Sequence, residues 1–218
     1  MIEIHDLQQQ TPEWFAIKKL YPFSSSNAQA IASQGAGLDT LVWEILAREM
    51  SSGEREEFTN KHLERGNELE PLARASYELS TGKKVVEVGF VTNDRYKLAG
   101  ASTDGLVDND GVAEIKCFED KKHLKAIFEV KNTGTFTIES GYDWQAQMEM
   151  MITERKYCDF ILFNPNFEDQ LLIKTLQPDI EKYQKLMTGI IMGTKLYNDR
   201  KAIYYLAYYD LYDVHVHL

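Results

Sequence analysis

Three residues in the middle of the chain have the types and spacing of a hydrolytic metal site. Asp104 is followed ten positions later by Glu114, and Lys116 comes two positions after that. If residues 112–118 form a strand, Glu114 and Lys116 point to one face of it and Ile115 points into the core. Converging carboxylate oxygens suit Mg²⁺ or Mn²⁺, and a lysine beside them can orient or help deprotonate a metal-bound water. The pattern therefore predicts hydrolysis of a phosphodiester.

A purely structural interpretation of the same pattern is also open. Asp104-Gly105 is a common turn dipeptide, and a Glu-x-Lys pair on a strand is often a solvated ion pair. An Asp and a Glu-x-Lys at this separation also recur by chance in acidic proteins. The pattern alone does not decide between catalysis and a solvated surface.

Two flanking segments favour the catalytic interpretation. Segment 65–74 predicts a helix that places a third carboxylate, from Glu68 or Glu70, beside the sheet. The spacing of apolar residues predicts that the buried face of this helix is formed by Leu69, Leu72, Ala73 and Tyr77. Residues 142–148 open a second helix that carries Gln145, although polar residues on one face are also typical of an amphipathic core helix.

The elements that must position these residues change type along the chain. Up to about residue 80 the apolar spacing predicts helices. β-rich runs predict a three-stranded antiparallel meander with strands at 84–91, 98–102 and 112–118. Further helices are predicted at 119–128, 142–153 and 179–197, and further strands at 156–164 and 170–175.

This order of elements favours a single α/β or α+β domain with a mixed central sheet, flanked by helices. Its predicted parts are a helical part at 1–80, a sheet core at 84–177 and a C-terminal helix with a tyrosine-rich tail at 178–218.

Composition excludes several classes of protein. The 218 residues are 44% hydrophobic and 27% charged, which excludes a disordered polar chain. Lysine and arginine total 24 against 34 acidic residues, and the net charge of −10 argues mildly against a surface that binds nucleic acid throughout. Cys117 and Cys158 cannot form a disulfide framework or a four-thiolate metal site. Without a signal peptide or an apolar run of about 20 residues, the protein is expected inside the cell and off the membrane.

Four blocks of the sequence resemble one known family. RGNELEPLAR at 65–74, STDG at 102–105, EIK at 114–116 and QAQ at 145–147 have the order and spacing of the lambda exonuclease type of phage recombination nuclease. This family is also called the YqaJ-like viral recombinase family and belongs to the PD-(D/E)-x-K nuclease superfamily. The resemblance runs from about residue 14 to 164 and implies a restriction-endonuclease-like core.

The resemblance also implies roles for individual residues. Two Mg²⁺ ions, or Mn²⁺ in their place, are expected to be held by the carboxylates of Glu70, Asp104 and Glu114 and by the backbone carbonyl of Ile115. Lys116 is the motif lysine that positions the attacking water, and Gln145 is the glutamine near the nucleophile. Glu68 remains an alternative to Glu70. Thr103 stands where the superfamily name has a proline, a departure that affects backbone shape and removes no ligand.

A pocket for a 5′-phosphate is the next feature that the resemblance implies, with matching residues Trp14, Lys18, Ser24, Ser26 and Ser102. Lys18 replaces the arginine of a W-x₃-R pattern, and a lysine binds as a point charge and not as a bidentate fork. A hydroxyl-rich turn at a helix N-terminus, with one cation, suits an anion. The serine turn is also typical of a simple N-cap, and Lys19 could take the place of Lys18.

Leu63 is a further residue with two interpretations. Just before the Arg65-Gly66 step, its side chain could wedge between the terminal bases of a duplex. The alternative is an ordinary core leucine.

The function that the resemblance implies is a Mg²⁺-dependent 5′→3′ exonuclease. It would degrade one strand of double-stranded DNA from its ends and leave 3′ overhangs for phage-type recombination. A ring-shaped homotrimer, a single-strand annealing partner and a location in the cytoplasm of a bacterial host are implied with it. Alternatives with the same core are a structure-specific DNA endonuclease and a non-catalytic module that binds DNA ends or proteins.

The acidic charge is compatible with this function. Bound Mg²⁺ would reverse the local charge where the scissile phosphate lies. The sequence then predicts positive potential confined to one channel, lined by Lys18, Lys19 and a helix that carries Lys121, Lys122 and Lys125.

Two features near the C-terminus have no assigned role. His215 and His217 have metal-ligand types at strand spacing, but such a pair on a tail is more often incidental. A helical stripe that could dock on the domain or on another subunit is predicted from Tyr204, Tyr205, Tyr208, Tyr209 and Tyr212.

Overall fold

Two mixed sheets lie at the centre of the molecule, and seven α-helices in the described part of the chain pack around them. The computed structural model describes residues 1–51 and 61–213, with side chains for residues 1–51 and 65–206. The strands are β1 (Ile2–His5), β2 (Phe23–Ser24), β3 (Val85–Val86), β4 (Phe90–Asn93), β5 (Ala99–Ala101), β6 (Gly105–Val107), β7 (Gly111–Lys116), β8 (Tyr157–Phe163) and β9 (Leu171–Leu176). The helices are α1 (Pro12–Leu20), α2 (Ala28–Ser33), α3 (Ala36–Met50), α4 (Lys61–Thr81), α5 (Asp120–Thr133), α6 (Ser140–Thr153) and α7 (Ile180–Asp213).

The first sheet has the strand order β1-β4-β5-β2. β4 is antiparallel to β1 and β5, and β2 runs parallel to β5 with Ser24 opposite Gly100. The predicted helical part at 1–80 therefore also contains two strands, β1 and β2, that the sequence analysis did not predict. Both strands are short, and β2 has only two residues, so neither shows the alternation that identifies a strand.

The second sheet has the order β3-β6-β7-β8-β9 and carries the catalytic motif. β6 and β7 form an antiparallel hairpin, β7 pairs in parallel with β8 along six residues, and β8 is antiparallel to β9. This mixed α/β arrangement confirms the predicted fold class.

The predicted three-stranded meander is divided between the two sheets. β5 belongs to the first sheet and β7 to the second, and the chain turns between them at residues 102–104. Thr103 is fully buried at this turn, where its hydroxyl accepts a hydrogen bond from the Gly105 backbone nitrogen at 3.0 Å. The same hydroxyl lies 3.1 Å from the carbonyl oxygen of Ala113 on β7. These local hydrogen bonds replace ladder bonds and end the first sheet.

The helix α4 covers one face of the second sheet. Ala73 and Tyr77 are fully buried against Ile115 and Ile161, which confirms most of the predicted face. Leu72 is 54% exposed, so its assignment to that face is wrong.

The helix α6 lies between the first sheet and the second. All eight residues from 146 to 153 are buried, which is the pattern of a helix enclosed on every side. Gln147 and Glu149 are among them, so this helix carries polar groups into the interior. Those groups need partners in the protein or a bound ligand.

The helix α7 extends well past its predicted end at residue 197, to Asp213. It packs closely on α2, where a Cβ atom on Gly189 would lie 2.0 Å from the carbonyl oxygen of Ile31. Tyr204 and Tyr205 are about half exposed on this helix. The side chains of Tyr208, Tyr209 and Tyr212, and all of His215 and His217, lie outside the described residues. None of the described helices has the length and apolar character needed to cross a bilayer.

Candidate active site

Asp104 lies at the entry to β6 and reaches across to the neighbouring strand. Its Oδ2 accepts a hydrogen bond from the backbone nitrogen of Ile115 at 2.6 Å. The Ile115 side chain is 5% exposed and packs in the core under α4, as the strand alternation predicts. The hairpin therefore brings Asp104 to the strand that carries the other motif residues.

Glu114 and Lys116 project from β7 on the opposite face from Ile115 and form an ion pair. Glu114 is fully buried, and its Oε1 also accepts a hydrogen bond from Nε2 of Gln145 on α6 at 2.7 Å. The other oxygen, Oε2, is buried without a hydrogen-bond partner among the described residues. A buried carboxylate oxygen without a donor is costly unless a cation or a proton reaches it.

The charges of this cluster act on one another strongly. Burial raises the pKa of Glu114 to about 7 against the opposing charge of Lys116, and the charge of Asp104 adds to the increase. Burial alone would lower the pKa of Lys116, but the charges of Glu114 and Asp104 raise it above its ordinary value. Lys116 is therefore an ammonium group, a donor and a positive charge, at neutral pH.

Glu70 on α4 is the helix carboxylate that faces Asp104. Burial, followed by the charge of Asp104, raises the pKa of Glu70 to about 7, whereas Glu68 is exposed to solvent. Glu70 Oε1 lies 2.5 Å from Nη1 of Arg74, and the same nitrogen donates to the backbone carbonyl of Asp104 at 3.0 Å. The second nitrogen of Arg74 pairs with Glu87 at 2.7 Å. One guanidinium therefore ties Glu70 to the segment that carries Asp104.

Glu149 is a fourth carboxylate that the sequence analysis missed. It lies one helical turn after Gln145, is fully buried, and accepts a hydrogen bond from Gln145 Nε2 at 3.0 Å. Burial, with the charges of Glu114 and Asp104, raises the pKa of Glu149 well above its ordinary value. The sequence signal for Glu149 was its position four residues after Gln145 on the same helix. Arg74, four residues after Glu70, had the same kind of signal.

The donor atoms of the cluster fit a hard divalent cation. As the side chains stand, no three His, Cys, Asp or Glu residues in the described part of the chain are arranged to hold a metal ion. Glu70 and Glu114 are instead paired with Arg74 and Lys116. The unpartnered Oε2 of Glu114 and the mutual repulsion of the carboxylates are what a bound Mg²⁺ would relieve, since it prefers oxygen ligands.

The residues expected around a 5′-phosphate form two groups. Trp14 is buried and donates from Nε1 to the Gly89 carbonyl at 2.9 Å, and the Lys18 ammonium lies 4.1 Å from the centre of its ring. Burial, followed by the charge of Arg48, lowers the pKa of Lys18 to about 8. Lys19 is exposed, so Lys18 is the more enclosed of the two candidates. Arg48 is a nearby cation that the sequence analysis did not include.

The serines form the second group. The hydroxyls of Ser24 and Ser26 lie 2.9 Å apart, and Ser24 pairs with Gly100, two residues before Ser102. The Ser102 hydroxyl is buried without a hydrogen-bond partner among the described residues. No hydrogen bond joins Lys18 to these serines in the described part of the structure. The side chain of Leu63 lies outside the described residues.

The lysines of α5 line a cleft of about 450 Å³ that begins beside the motif strand. Lys122 pairs with Glu139 at 2.7 Å, and its ammonium lies 3.6 Å from the ring centre of Phe118. Tyr142 borders the same cleft, and its ring centre lies 5.3 Å from the Lys116 ammonium. Lys121 and Lys125 also line the cleft, together with Glu119, Glu129 and Glu139, so the positive channel stays a prediction.

A mixed sheet that holds two carboxylates and a lysine at one hairpin, with a helix glutamate beside them, defines a restriction-endonuclease-like α/β protein. Residues 13–156 match the model of the YqaJ-like viral recombinase domain, and the chain belongs to that family. No curated protein sequence matches the chain.

Solved structures of exonucleases are similar to this chain. The alkaline exonuclease LHK-Exo from Laribacter hongkongensis is similar with a TM-score of 0.80 and 28% identity, over 92% of this chain and 100% of that chain. LHK-Exo in complex with dAMP is similar with a TM-score of 0.79 at the same identity and coverage. A phage-related exonuclease from Haemophilus somnus 129PT has a TM-score of 0.60 and 17% identity, over 83% of this chain and 95% of that chain. The last similarity concerns the fold alone.

Proposed function

We propose that this chain is a Mg²⁺-dependent 5′→3′ exonuclease that degrades one strand of double-stranded DNA from its ends. The product would be a duplex with 3′ single-stranded overhangs, used in phage-type homologous recombination. The observation that carries the proposal is the placement of Asp104, Glu114 and Lys116 on one hairpin, with Glu70 beside them. Family membership supports it, since the similar LHK-Exo is named an alkaline exonuclease.

Glu70, Asp104, Glu114 and the Ile115 carbonyl would hold the metal. When bound, Mg²⁺ supplies a nucleophilic water at neutral pH and stabilises the charge that develops on the phosphate. Lys116 donates from a fixed position beside Glu114 and orients the water toward the phosphorus. Gln145 completes this arrangement from α6, because its amide is anchored on Glu114. A water held by these residues would lie in line with the departing oxygen, as phosphodiester hydrolysis requires.

The end of the DNA would be recognised by Trp14, Lys18, Ser24, Ser26 and Ser102. Lys18 supplies the charge, and the unpartnered Ser102 hydroxyl is a donor available to a phosphate oxygen. Leu63 stays a proposed wedge at the terminal base pair. Lys121 and Lys125 would meet the phosphate backbone beyond the scissile bond.

The assembly that goes with this proposal is a homotrimeric ring in the cytoplasm of a bacterial host, with a single-strand annealing protein as partner. Family membership supports these elements. A ring would keep the enzyme on one duplex while successive nucleotides leave.

The test is a digestion assay with Mg²⁺ on three substrates: linear duplex with 5′-phosphates, the same duplex with 5′-hydroxyls, and closed circular duplex. We expect digestion of the first, slower digestion of the second and none of the third. Asp104→Ala should abolish digestion. Cleavage of the circle would indicate a structure-specific endonuclease, and a wild type that binds ends without any digestion would indicate a binding module.

A further inference from the structure

Glu149 is a buried carboxylate in the catalytic cluster that the proposed mechanism does not use. It is fully buried, and its Oε2 has no hydrogen-bond partner among the described residues. No lysine or arginine in the described part of the chain forms an ion pair with it. Burial of an acidic group without a cationic partner is costly, so its presence here needs a reason other than packing.

Glu149 contacts the cluster through the amide of Gln145 and also lies against the carboxyl group of Glu114. The amide nitrogen Nε2 carries two hydrogens, and the structure uses both: one for Glu114 Oε1 at 2.7 Å and one for Glu149 Oε1 at 3.0 Å. Glu114 comes from a strand, whereas Glu149 lies one turn along the same helix as Gln145. Because an acceptor oxygen of each glutamate lies on its nitrogen side, the amide is held in the orientation that the structure shows.

The orientation of the amide decides what Gln145 presents to solvent. No described residue donates a hydrogen bond to its carbonyl oxygen Oε1, and this oxygen is not among the enclosed polar atoms without a partner. The carbonyl oxygen is therefore not enclosed and can accept a hydrogen bond. Without Glu149, Nε2 would keep one carboxylate partner, and the amide could rotate about its last side-chain bond.

We infer that Glu149 is a positioning residue: it holds Gln145 with its nitrogen on Glu114 and its carbonyl oxygen toward the attacking water. A hydrogen bond from that water to Gln145 Oε1 fixes the direction of its lone pair toward the phosphorus. Glu149 touches neither substrate nor metal in this role. The inference rests on the proposed nuclease function, and its test is designed to separate the two.

The test compares Glu149→Met with Glu149→Gln. Methionine keeps the volume and removes the acceptor, and an apolar replacement of similar volume is commonly tolerated in a core. Glutamine keeps one carbonyl acceptor for Gln145. We expect Glu149→Met to lower kcat by about tenfold or more, as loss of an outer partner of a catalytic group does, with KM for duplex DNA within about twofold. Glu149→Gln should recover most of the lost kcat.

A double-mutant cycle shows whether Glu149 acts through Gln145. In a Gln145→Met background, adding Glu149→Met should change kcat by less than about twofold. A further tenfold decrease in that background would overturn the inference, because Glu149 would then act independently. A tenfold weaker Mg²⁺ affinity of Glu149→Met by calorimetry would also overturn it, because Glu149 would then be a metal ligand.

A spectroscopic measurement tests the inference without an activity assay. Both side-chain amide hydrogens of Gln145 should be shifted from solvent-exposed positions and protected from exchange in ¹⁵N-labelled protein. In Glu149→Met one of the two should return toward the exposed position. Two rapidly exchanging hydrogens in the wild type would overturn the inference. A wild type that shows these protected hydrogens and digests no DNA would refute the proposed function alone.

Discussion

The carboxylate of Asp104 accepts a hydrogen bond from the backbone nitrogen of Ile115 at 2.6 Å, which joins the entry of β6 to the middle of β7. Arg74 holds the backbone carbonyl of the same aspartate from α4 at 3.0 Å. Asp104 is therefore fixed through its side chain and its main chain. Preorganisation of this kind lets a charged group act without reorganising during the reaction.

The first prediction concerns Arg74, whose two nitrogens serve Glu70, the Asp104 carbonyl and Glu87. Arg74→Lys keeps the charge, but a lysine has a single nitrogen and cannot make all of these hydrogen bonds. The carboxylates of Glu70 and Asp104 should therefore lose their alignment. We expect Mg²⁺ affinity and kcat/KM each to fall by about tenfold, measured by calorimetry and by digestion rates. Arg95→Lys, at the exposed pair with Glu154, is the matched control and should change neither. Equal behaviour of the two variants would contradict the positioning role of Arg74.

The second prediction is that the metal-free protein loses stability as the pH rises toward neutrality. Burial is the main cause that raises the pKa of Glu70 and of Glu114 from 4.5 to about 7. Between these values the folded protein binds more protons than the unfolded chain. The contribution of both groups to the free energy of unfolding is therefore full below pH 4.5 and is lost as the pH rises through about 7. Urea unfolding in EDTA from pH 5 to 8 measures it.

Glu70→Gln provides the control for this pH dependence, because it removes one of the two titrating groups. Its decrease in unfolding free energy between pH 5 and 8 should be smaller than that of the wild type. Added Mg²⁺ should raise the Tm of the wild type more at pH 8 than at pH 6, since a bound cation needs ionised carboxylates. An unfolding free energy that increases from pH 5 to 7 would contradict the raised pKa values of Glu70 and Glu114.

The third prediction distinguishes Lys18 from Lys19 in recognition of the DNA end. Lys18 is enclosed beside Trp14, whereas Lys19 is exposed. Lys18→Ala should reduce the preference for 5′-phosphate over 5′-hydroxyl ends by about tenfold, since hydrogen bonds between charged groups contribute about 1.5–3 kcal/mol. Lys19→Ala should reduce it by less than about twofold. The ratio of kcat/KM on the two substrates is the measurement, and the reverse order of effects would assign the pocket to Lys19.

The pH dependence of that preference gives a fourth prediction. Burial, followed by the charge of Arg48, lowers the pKa of Lys18 to about 8, so this lysine loses its charge as the pH rises from 7 to 9. The wild-type preference for a 5′-phosphate should therefore decrease over this range. Lys18→Arg should retain the preference at pH 9, because arginine stays protonated. A preference that decreases equally in both proteins would assign the titration to another group.

The fifth prediction tests the packing of α7 on α2 with two alanine substitutions. A Cβ atom added to Gly189 would lie 2.0 Å from a backbone oxygen. A Cβ atom added to Gly66 in α4 would have no other atom within 4 Å. Gly189→Ala should destabilise the protein by about 1–3 kcal/mol. Gly66→Ala should stabilise it by about 0.5–1 kcal/mol through helix propensity. Urea unfolding measures both, and a neutral Gly189→Ala would contradict the close approach of the helices.

Local patterns in the sequence were sufficient for β7, one strand of the hairpin that carries the site, but its partner β6 was not predicted, because three residues show too little alternation to identify a strand. Strand alternation predicted that Glu114 and Lys116 share a face and that Ile115 is buried. Each of these features depends on residues that are close in the chain.

Features that depend on distant contacts could not be read in this way. Sheet membership of β5 and β7 is decided by pairing with β2 and β8, whose paired residues lie 76 and 46 positions away in the sequence and outside any local pattern. The two-residue β2 gives no alternation, and Leu72 fits the spacing of a buried face that the sheet does not cover. Glu149 was missed because a charged residue in a helix is ordinarily assigned to the solvent face.

The most direct test of the proposed function is strand-resolved digestion of a linear duplex with 5′-phosphates and a different label on each strand. With Mg²⁺, the wild type should shorten each strand from its 5′ end, release mononucleotides and leave 3′ overhangs. Glu114→Gln should leave both strands intact under the same conditions. Shortening from 3′ ends, or equal digestion by wild type and Glu114→Gln, would contradict the proposed function.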